Sequence, residues 1–306
     1  MRNARRDFLG AAVALGGAMT LRGMAAAQEM SGDPVTQLAT QAVRETSGLR
    51  LGLASYTTRV FDLDETIRIC KRAGLKHLCL KSFHLPLDAT DEQCAAVAKK
   101  VADSGLDLYG GGVISMNSPA EIDRAFRYAK AAGMRVIVAA PKNDDSLLGR
   151  INERIVETGI VVAIHNHGPG DGQFPTPGSV FEKVEKYDPR FGLCIDIGHT
   201  VRYGNDLIEA IRKCESRIHD FHFKDVTEAT AKGETCICGR GCIPFQMVVR
   251  TLLDIGYTGI AAFEYEAEEK DPLPGLAESV GYVRGIEAGL EKHYYDLVSP
   301  IHADRR

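Results

Sequence analysis

The chain has 306 residues, room for one large core, and its 44% hydrophobic and 25% charged residues are an ordinary globular balance that points away from disorder and from a membrane-embedded protein. The formal net charge of −4 argues against a nucleic-acid surface, which needs a clustered basic face.

In chain order, residues 1–27 read as a targeting segment. Arg5-Arg6-Asp7-Phe8-Leu9 resembles the twin-arginine export signal, an apolar stretch interrupted by Arg22 follows, and Ala25-Ala26-Ala27 offers a small-residue cleavage site. The apolar run is too short to span a bilayer comfortably, since that takes about 20 residues. We therefore expect a cleaved signal, a periplasmic mature protein and no stable membrane anchor, with an uncleaved N-terminal anchor as the alternative. The segment holds four arginines and one aspartate, so its loss takes the net charge from −4 to about −7. Residues 28–48 read as a polar linker.

From Leu49 onward strand-like and helix-like segments alternate with little between them. Leu49–Ser55 is the first strand, followed by a helix over Asp62–Gly74 with an acidic start and a Gly stop. Then come a strand over His77–Phe83, a helix near 90–105, a strand over 107–114, and a helix near 119–133 with Pro119 in its first turn. Arg135–Pro141 is a nearly uninterrupted apolar strand, and its helix runs to Gly159. Strand five is Val161-Val-Ala-Ile-His-Asn-His-Gly168, with a helix near 178–187 behind it. Strand six spans Phe191–His199, with a helix over 206–217, and strand seven spans His219–Asp225, with a helix over 244–256. Strand eight spans Gly259–Glu266, and a helix near 275–293 closes the count. Eight such pairs, with apolar rather than alternating strands, predict a single-domain α/β fold, the (β/α)8 TIM barrel, over residues 49–297. A doubly wound open sheet would want a Gly-rich phosphate turn after the first strand, and Ser55-Tyr-Thr-Thr-Arg-Val60 is not one.

The eight cysteines do not have the spacing of a disulfide scaffold. Cys70, Cys79, Cys94, Cys194 and Cys214 read as small core residues, whereas Cys236, Cys238 and Cys242 crowd one Gly-rich loop, as thiols, a disulfide or, last, a metal site.

In such a barrel the active site lies at the C-terminal ends of the strands. Strand five ends in His165 and His167, alternate residues on one face; strand six in Asp196 and His199; strand seven in His222, Lys224 and Asp225; strand eight in Glu264 and Glu266; strand two adds Lys81 and His84. Singly, each has a structural explanation: a strand-end carboxylate caps a helix, Lys224-Asp225 reads as a surface pair, and Glu266 opens a solvated acidic loop. Together, four successive strands delivering His, Asp, His and Glu to one rim have the composition of a divalent-metal site. Its mixed nitrogen and oxygen donors suit manganese, zinc, cobalt or iron better than calcium and leave the identity open.

Cys194-Ile-Asp-Ile-Gly-His199, Phe221-His-Phe-Lys-Asp225, Gly239-Arg-Gly-Cys-Ile-Pro-Phe245 and Phe263-Glu-Tyr-Glu266 resemble the motifs of the xylose isomerase-like barrel superfamily of sugar phosphate isomerases and epimerases. The resemblance implies one divalent metal held by Asp196, His222 and Glu264, with His165 as the fourth ligand where the family's ketose 3-epimerases carry a Glu that is both ligand and base. It implies that His199 contacts substrate. Glu264, His167, His199 and Lys81 are then the candidate acid/base groups, and His84, Lys224, Glu266 and Arg240 the candidate substrate contacts.

The chemistry such a site supports is proton abstraction beside a carbonyl. The first expectation is a metal-dependent isomerase or epimerase acting on a small unphosphorylated carbohydrate. The second, prompted by His165, is a lyase or dehydratase acting on a keto-sugar or 3-keto-glycoside; inosose dehydratases share this fold. A periplasmic carbohydrate-binding protein without turnover is the non-enzymatic alternative. We expect no nucleic-acid partner, and a homo-oligomer is left open.

Overall fold

The computed structural model describes residues 48–298; the export-signal reading of residues 1–27 and all but the last residue of the linker lie outside the described residues. Eight parallel strands close into a barrel: β1 (Arg50–Ala54), β2 (His77–Leu80), β3 (Asp107–Met116), β4 (Val136–Pro141), β5 (Val161–His165), β6 (Phe191–Asp196), β7 (Ile218–Phe223) and β8 (Ile260–Phe263). Neighbours in sequence are neighbours in the sheet, and β8 returns to pair with β1, Leu53 opposite Phe263. This is the predicted (β/α)8 barrel.

The helices between strands form where local chemistry starts and stops them. Helix α1 (Leu63–Arg72) is capped by Asp62, whose side chain accepts from Glu65 N, and α2 (Asp91–Asp103) by a reciprocal Thr90–Gln93 capping box. Helix α3 (Pro119–Ala131) begins behind Ser118, and α4 (Asp145–Thr158) runs from Asp144 to a left-handed Gly159. Helix α5 (Pro177–Val184) starts behind a Thr176–Ser179 box. After β6 come α6 (Ile197–Arg202), capped by Asp196, and α7 (Leu207–Cys214), capped by Asp206. Helices α8 (Phe245–Asp254) and α9 (Pro272–Val298) complete the ring.

Alternation along each strand separates two cores. On β5, Val162 and Ile164 are fully buried toward the helices, each contributing about 1.5–3 kcal/mol of burial, while Ala163 turns into the barrel with Cys79, Tyr109, Val138, Cys194 and Ala262. His165, two residues beyond Ala163, sits on that interior face at the C-terminal end.

Several expected strands end earlier, β2 at Leu80, β5 at His165 and β8 at Phe263 among them, and the sixth and seventh show the cause. The sixth stops at Asp196, because that carboxylate accepts the His199 backbone N–H and turns the chain into α6. The seventh stops at Phe223, and Asp225–Val226 instead pairs antiparallel with Thr235–Cys236. The Asp225 carboxylate takes the backbone N–H groups of Val226, Gly239, Gly241 and Ile243, organising the cysteine loop around itself. Lys224 and Asp225 are 2% and 0% exposed, so they are not the expected surface pair; each ion or hydrogen-bond set is satisfied inside the fold. All eight cysteines are free thiols.

Candidate metal centre

The ends of β5 and β6 are stapled by Asn166, which sits between the two histidines and faces the other way. Its side-chain amide donates to Thr200 Oγ1 (3.1 Å) and accepts from the Asp196 backbone N–H (3.0 Å). The following loop lies directly on α6: Gly168 has φ +72°, and a Cβ there would fall 2.7 Å from the His199 carbonyl oxygen. With its Oδ1 committed to the His199 cap, Asp196 turns Oδ2 toward the barrel axis, 3.6 Å from His165 Nε2.

On β7 and just past it, His222 and Lys224 share the inward face. Lys224 reaches the centre because residue 198 is glycine: a Cβ there would lie 2.9 Å from Lys224 Cγ. His165 Nε2 lies 3.1 Å from His222 Nδ1, and His222 Nδ1 lies 3.6 Å from Glu264 Oε2. One ligand atom from each of His165, Asp196, His222 and Glu264 lies within 4.8 Å of every other, and all four residues are buried. The Lys224 ammonium contacts Glu264 Oε2 at 2.8 Å and Asp196 Oδ2 at 3.1 Å, and also holds Glu266.

The charge states follow from these neighbours. Burial works against ionising Asp196, but Lys224 and the adjacent imidazoles outweigh it, and its pKa lies well below the usual carboxylate range; Glu264 is held low against burial by Lys224 and His222 in the same way. Lys224 is desolvated too, yet three carboxylates raise its pKa well above normal, so it stays charged. Burial drives the His165 pKa far down and leaves it neutral. For His222 burial also opposes the charge, but Glu264, Asp220 and Asp196 prevail and its pKa is raised.

These residues fit a divalent cation on three counts. Asp196 Oδ2 is buried and makes no hydrogen bond, only the ion pair with Lys224. The His165 and His222 nitrogens meet at a distance that requires a proton or a cation between two lone pairs. Asp196, Glu264 and Glu266 outnumber Lys224, leaving a negative balance of two when ionised. Two imidazoles and two carboxylates are the donor set of manganese, zinc, cobalt or iron sites. A second grouping, His165, Cys194 and His222, is poorer, because burial keeps the Cys194 thiol protonated.

The other predicted residues divide into two groups. His167 lies over His165, ring centroids 4.4 Å apart, with a half-exposed side chain whose pKa burial lowers. His199 packs edge-on to His165 and 5.8 Å from His167, its pKa lowered to about 4, chiefly by burial. Lys81 lies over the Tyr56 ring, half-buried, at the mouth. Glu266 joins the centre through Lys224. His84 and Arg240 are placed elsewhere. His84 Nε2 faces Thr66 Oγ1 (3.0 Å) and the carbonyls of Phe61 (3.1 Å) and Thr58 (3.3 Å), and its Nδ1 faces Ser55 Oγ (2.9 Å), so both ring nitrogens serve the packing of the turn after β1 against α1. Arg240 is exposed and paired bidentately with Glu278.

Three residues escaped the sequence reading. Asn166 ties the end of β5 to Asp196 and Thr200, Arg202 holds His199, and Asp220 lies two residues below His222, fully buried, bonded to Tyr109 O–H at 3.1 Å, with burial pushing its pKa up to about 6. A signal for the first was in the sequence: an amide between two strand-end histidines must find partners on the opposite face.

A family model described as the xylose isomerase-like TIM barrel matches residues 61–286, which hold every residue of this centre. The inosose dehydratase of Geobacillus thermodenitrificans is 30% identical over 151 residues, 44% of this chain and 48% of that protein. This chain thus spans about half the length of the curated relatives it matches. Among solved structures, L-ribulose 3-epimerase gives a TM-score of 0.67 at 18% identity, over 83% of this chain and 99% of that one. The probable 3-DHS dehydratase of Bacillus anthracis gives 0.62 at 12% identity, over 77% and 99%. At these identities the structures show a common fold only. The family match covers most of the barrel, and the chain belongs to the xylose isomerase-like TIM barrel family.

Proposed function

We propose that this protein is a metal-dependent carbohydrate lyase that removes a proton beside the carbonyl of an unphosphorylated keto-sugar or keto-glycoside and expels a β-substituent. The observation that carries the reading is the grip of Lys224 on Glu264 and Glu266. Epimerisation wants bases on both faces of one carbon. Here Glu264 is ion-paired and held far below the usual carboxylate pKa, which makes it a weak base, and His165 is buried in the ligand cluster.

Of the other candidates at the rim, His167, His199 and Lys81, we assign the base to His167, which lies directly over His165. Burial lowers the His167 pKa, which keeps the ring neutral near pH 7, and its Nδ1 faces Asp171 at 3.6 Å. One imidazole suffices for an elimination. It takes the carbon-bound proton, the C–H electron pair becomes the new double bond as the bond to the β-oxygen breaks, and the imidazolium returns the proton to the departing oxygen. A divalent cation held by His165, Asp196, His222 and Glu264 supplies Lewis acidity that makes such a C–H acidic enough for an imidazole to remove.

Two of the compared proteins, the inosose dehydratase and the probable 3-DHS dehydratase, carry names of this reaction class. The twin-arginine motif at Arg5-Arg6 supports action in the periplasm, where an unphosphorylated substrate is the natural one.

The second reading, a sugar isomerase or epimerase, is supported by the clustering of Asp196, His222 and Glu264, which the motif resemblance implies as ligands, and by the fold shared with L-ribulose 3-epimerase. Incubating metal-loaded protein with inososes, ketoses and 3-keto-glycosides in deuterated water separates the two. A lyase yields a product lighter by one water or a released aglycone. An epimerase yields an isomer that has gained deuterium, and a binding protein yields neither.

A further inference from the structure

His199 and Arg202 stand three residues apart on α6 and so share a face. Arg202 Nη2 lies 2.7 Å from His199 Nδ1, and its Nη1 reaches the Gly233 carbonyl at 3.3 Å. The His199 backbone is held separately, by the Asp196 carboxylate below and the close approach of Gly168 above.

We propose that Arg202 is a positioning residue that fixes His199 as a neutral imidazole with its proton on Nε2, making it a one-directional hydrogen-bond donor to a substrate oxygen. A guanidinium has donors only and does not lose its proton in proteins. At 2.7 Å the arginine must therefore donate, and Nδ1 must present its lone pair. A neutral imidazole has one N–H, and it is left on Nε2, which bonds to no described residue. The ring rests against His165 and His167, beside the proposed ligands and the proposed base. A donor locked in this state stabilises negative charge growing on a carbonyl or hydroxyl oxygen, keeps its Nε2 proton, and with Nδ1 engaged by arginine takes up no second one. His199 is thereby separated from His167: the two imidazoles are neighbours, but one moves a proton and the other holds an oxygen.

The inference rests on the site assignment above and is indifferent to the choice between elimination and epimerisation. Its test reads the tautomer directly. Long-range proton–nitrogen NMR of the full chain, zinc-loaded and labelled with heavy-nitrogen histidine, with the His199 signals assigned by their loss in His199→Gln, should show Nδ1 bare and Nε2 protonated. Arg202→Met should let the proton distribute between both nitrogens, and Arg202→Lys should restore the wild-type pattern. On whichever substrate is turned over, Arg202→Met should lower kcat by about 10- to 100-fold, the usual scale for removing an orienting partner, with KM little changed. A proton on Nδ1 in the wild-type protein overturns the proposal, whether or not any variant folds. So does an Arg202→Met spectrum indistinguishable from wild type. Failure of the lyase reading would leave the spectra unchanged.

Discussion

Lys224 Nζ lies 2.8 Å from Glu264 Oε2, so the ammonium shares a carboxylate of the proposed ligand set just past strand β8. The same nitrogen is 3.1 Å from Asp196 Oδ2, which makes Lys224 an internal counter-charge to the carboxylates that would bind a metal. Lys224→Met should therefore destabilise the metal-free protein strongly, by about 3–5 kcal/mol, the usual cost of leaving buried charges unpaired. Added zinc or manganese should recover much of that loss, because a dication can take the ammonium's place. Thermal melts with and without metal check this. An equal loss in both states would mean that Lys224 acts through packing alone.

Gly198 makes that arrangement possible. A Cβ at this position would approach Lys224 Cγ at 2.9 Å and Cδ at 3.0 Å, so Gly198→Ala should push the lysine stem off the Asp196 and Glu264 carboxylates. We expect a loss of about 1–3 kcal/mol from overpacking, with the metal-dependent rise in Tm increased, since the lysine competes less well. Melts of the variant across a metal titration provide the measurement, and an unchanged metal response would separate Gly198 from Lys224.

The barrel and the ring of polar strand ends were legible in the sequence because both follow from short-range pattern. Apolar runs such as Val161–Ile164 mark doubly buried strands, and caps such as Asp62, Thr90 and Ser118 mark the helices between them. The identity of each polar residue's partner was not legible, since that is set by closure of the barrel. Lys224 and Glu264 are 40 residues apart in sequence and meet only because β7 and β8 are adjacent. For the same reason His84, which read as a rim residue after strand two, is taken up by Ser55, Thr58 and Phe61 from the preceding β-α unit. Arg202 carried no pattern of its own, because its meaning depends on where α6 begins, and Asp196 sets that beginning only when its carboxylate caps the helix.

His165 and His167 should separate cleanly. His165 is 2% exposed within the ligand cluster, whereas the His167 side chain is 38% exposed above it. His165→Ala should lower metal content and abolish the metal-dependent rise in Tm. His167→Gln should keep both and lose activity by about 10²- to 10⁴-fold, the range spanned by a positioned acid/base group. Elemental analysis paired with turnover distinguishes them, and a His167 variant that loses its metal would move this residue into the ligand set.

The last prediction concerns pH and His84, away from the metal centre. Its Nε2 sits against two backbone carbonyls, which demand an N–H there, and its Nδ1 accepts from the Ser55 hydroxyl, whose oxygen already takes the Lys81 backbone N–H at 2.7 Å. The ring is thus fully used in its neutral form. Burial lowers its pKa, and the carbonyls of Thr58 and Phe61 offset this only in part. Because the folded pKa is depressed, the unfolded chain takes up the proton first as pH falls, and stability drops once the pH passes below the ordinary histidine value of about 6.5. His84→Gln should cost about 1 kcal/mol near pH 7 through imperfectly replaced hydrogen bonds. The deficit should then shrink as the pH falls below about 6.5, since glutamine has no proton to gain. Urea unfolding of both proteins across that range gives the difference directly. A deficit that stays constant would mean that the fold leaves the His84 pKa unshifted, and one that grows toward acid would mean that the ring is protonated in the fold and pairs with an acid.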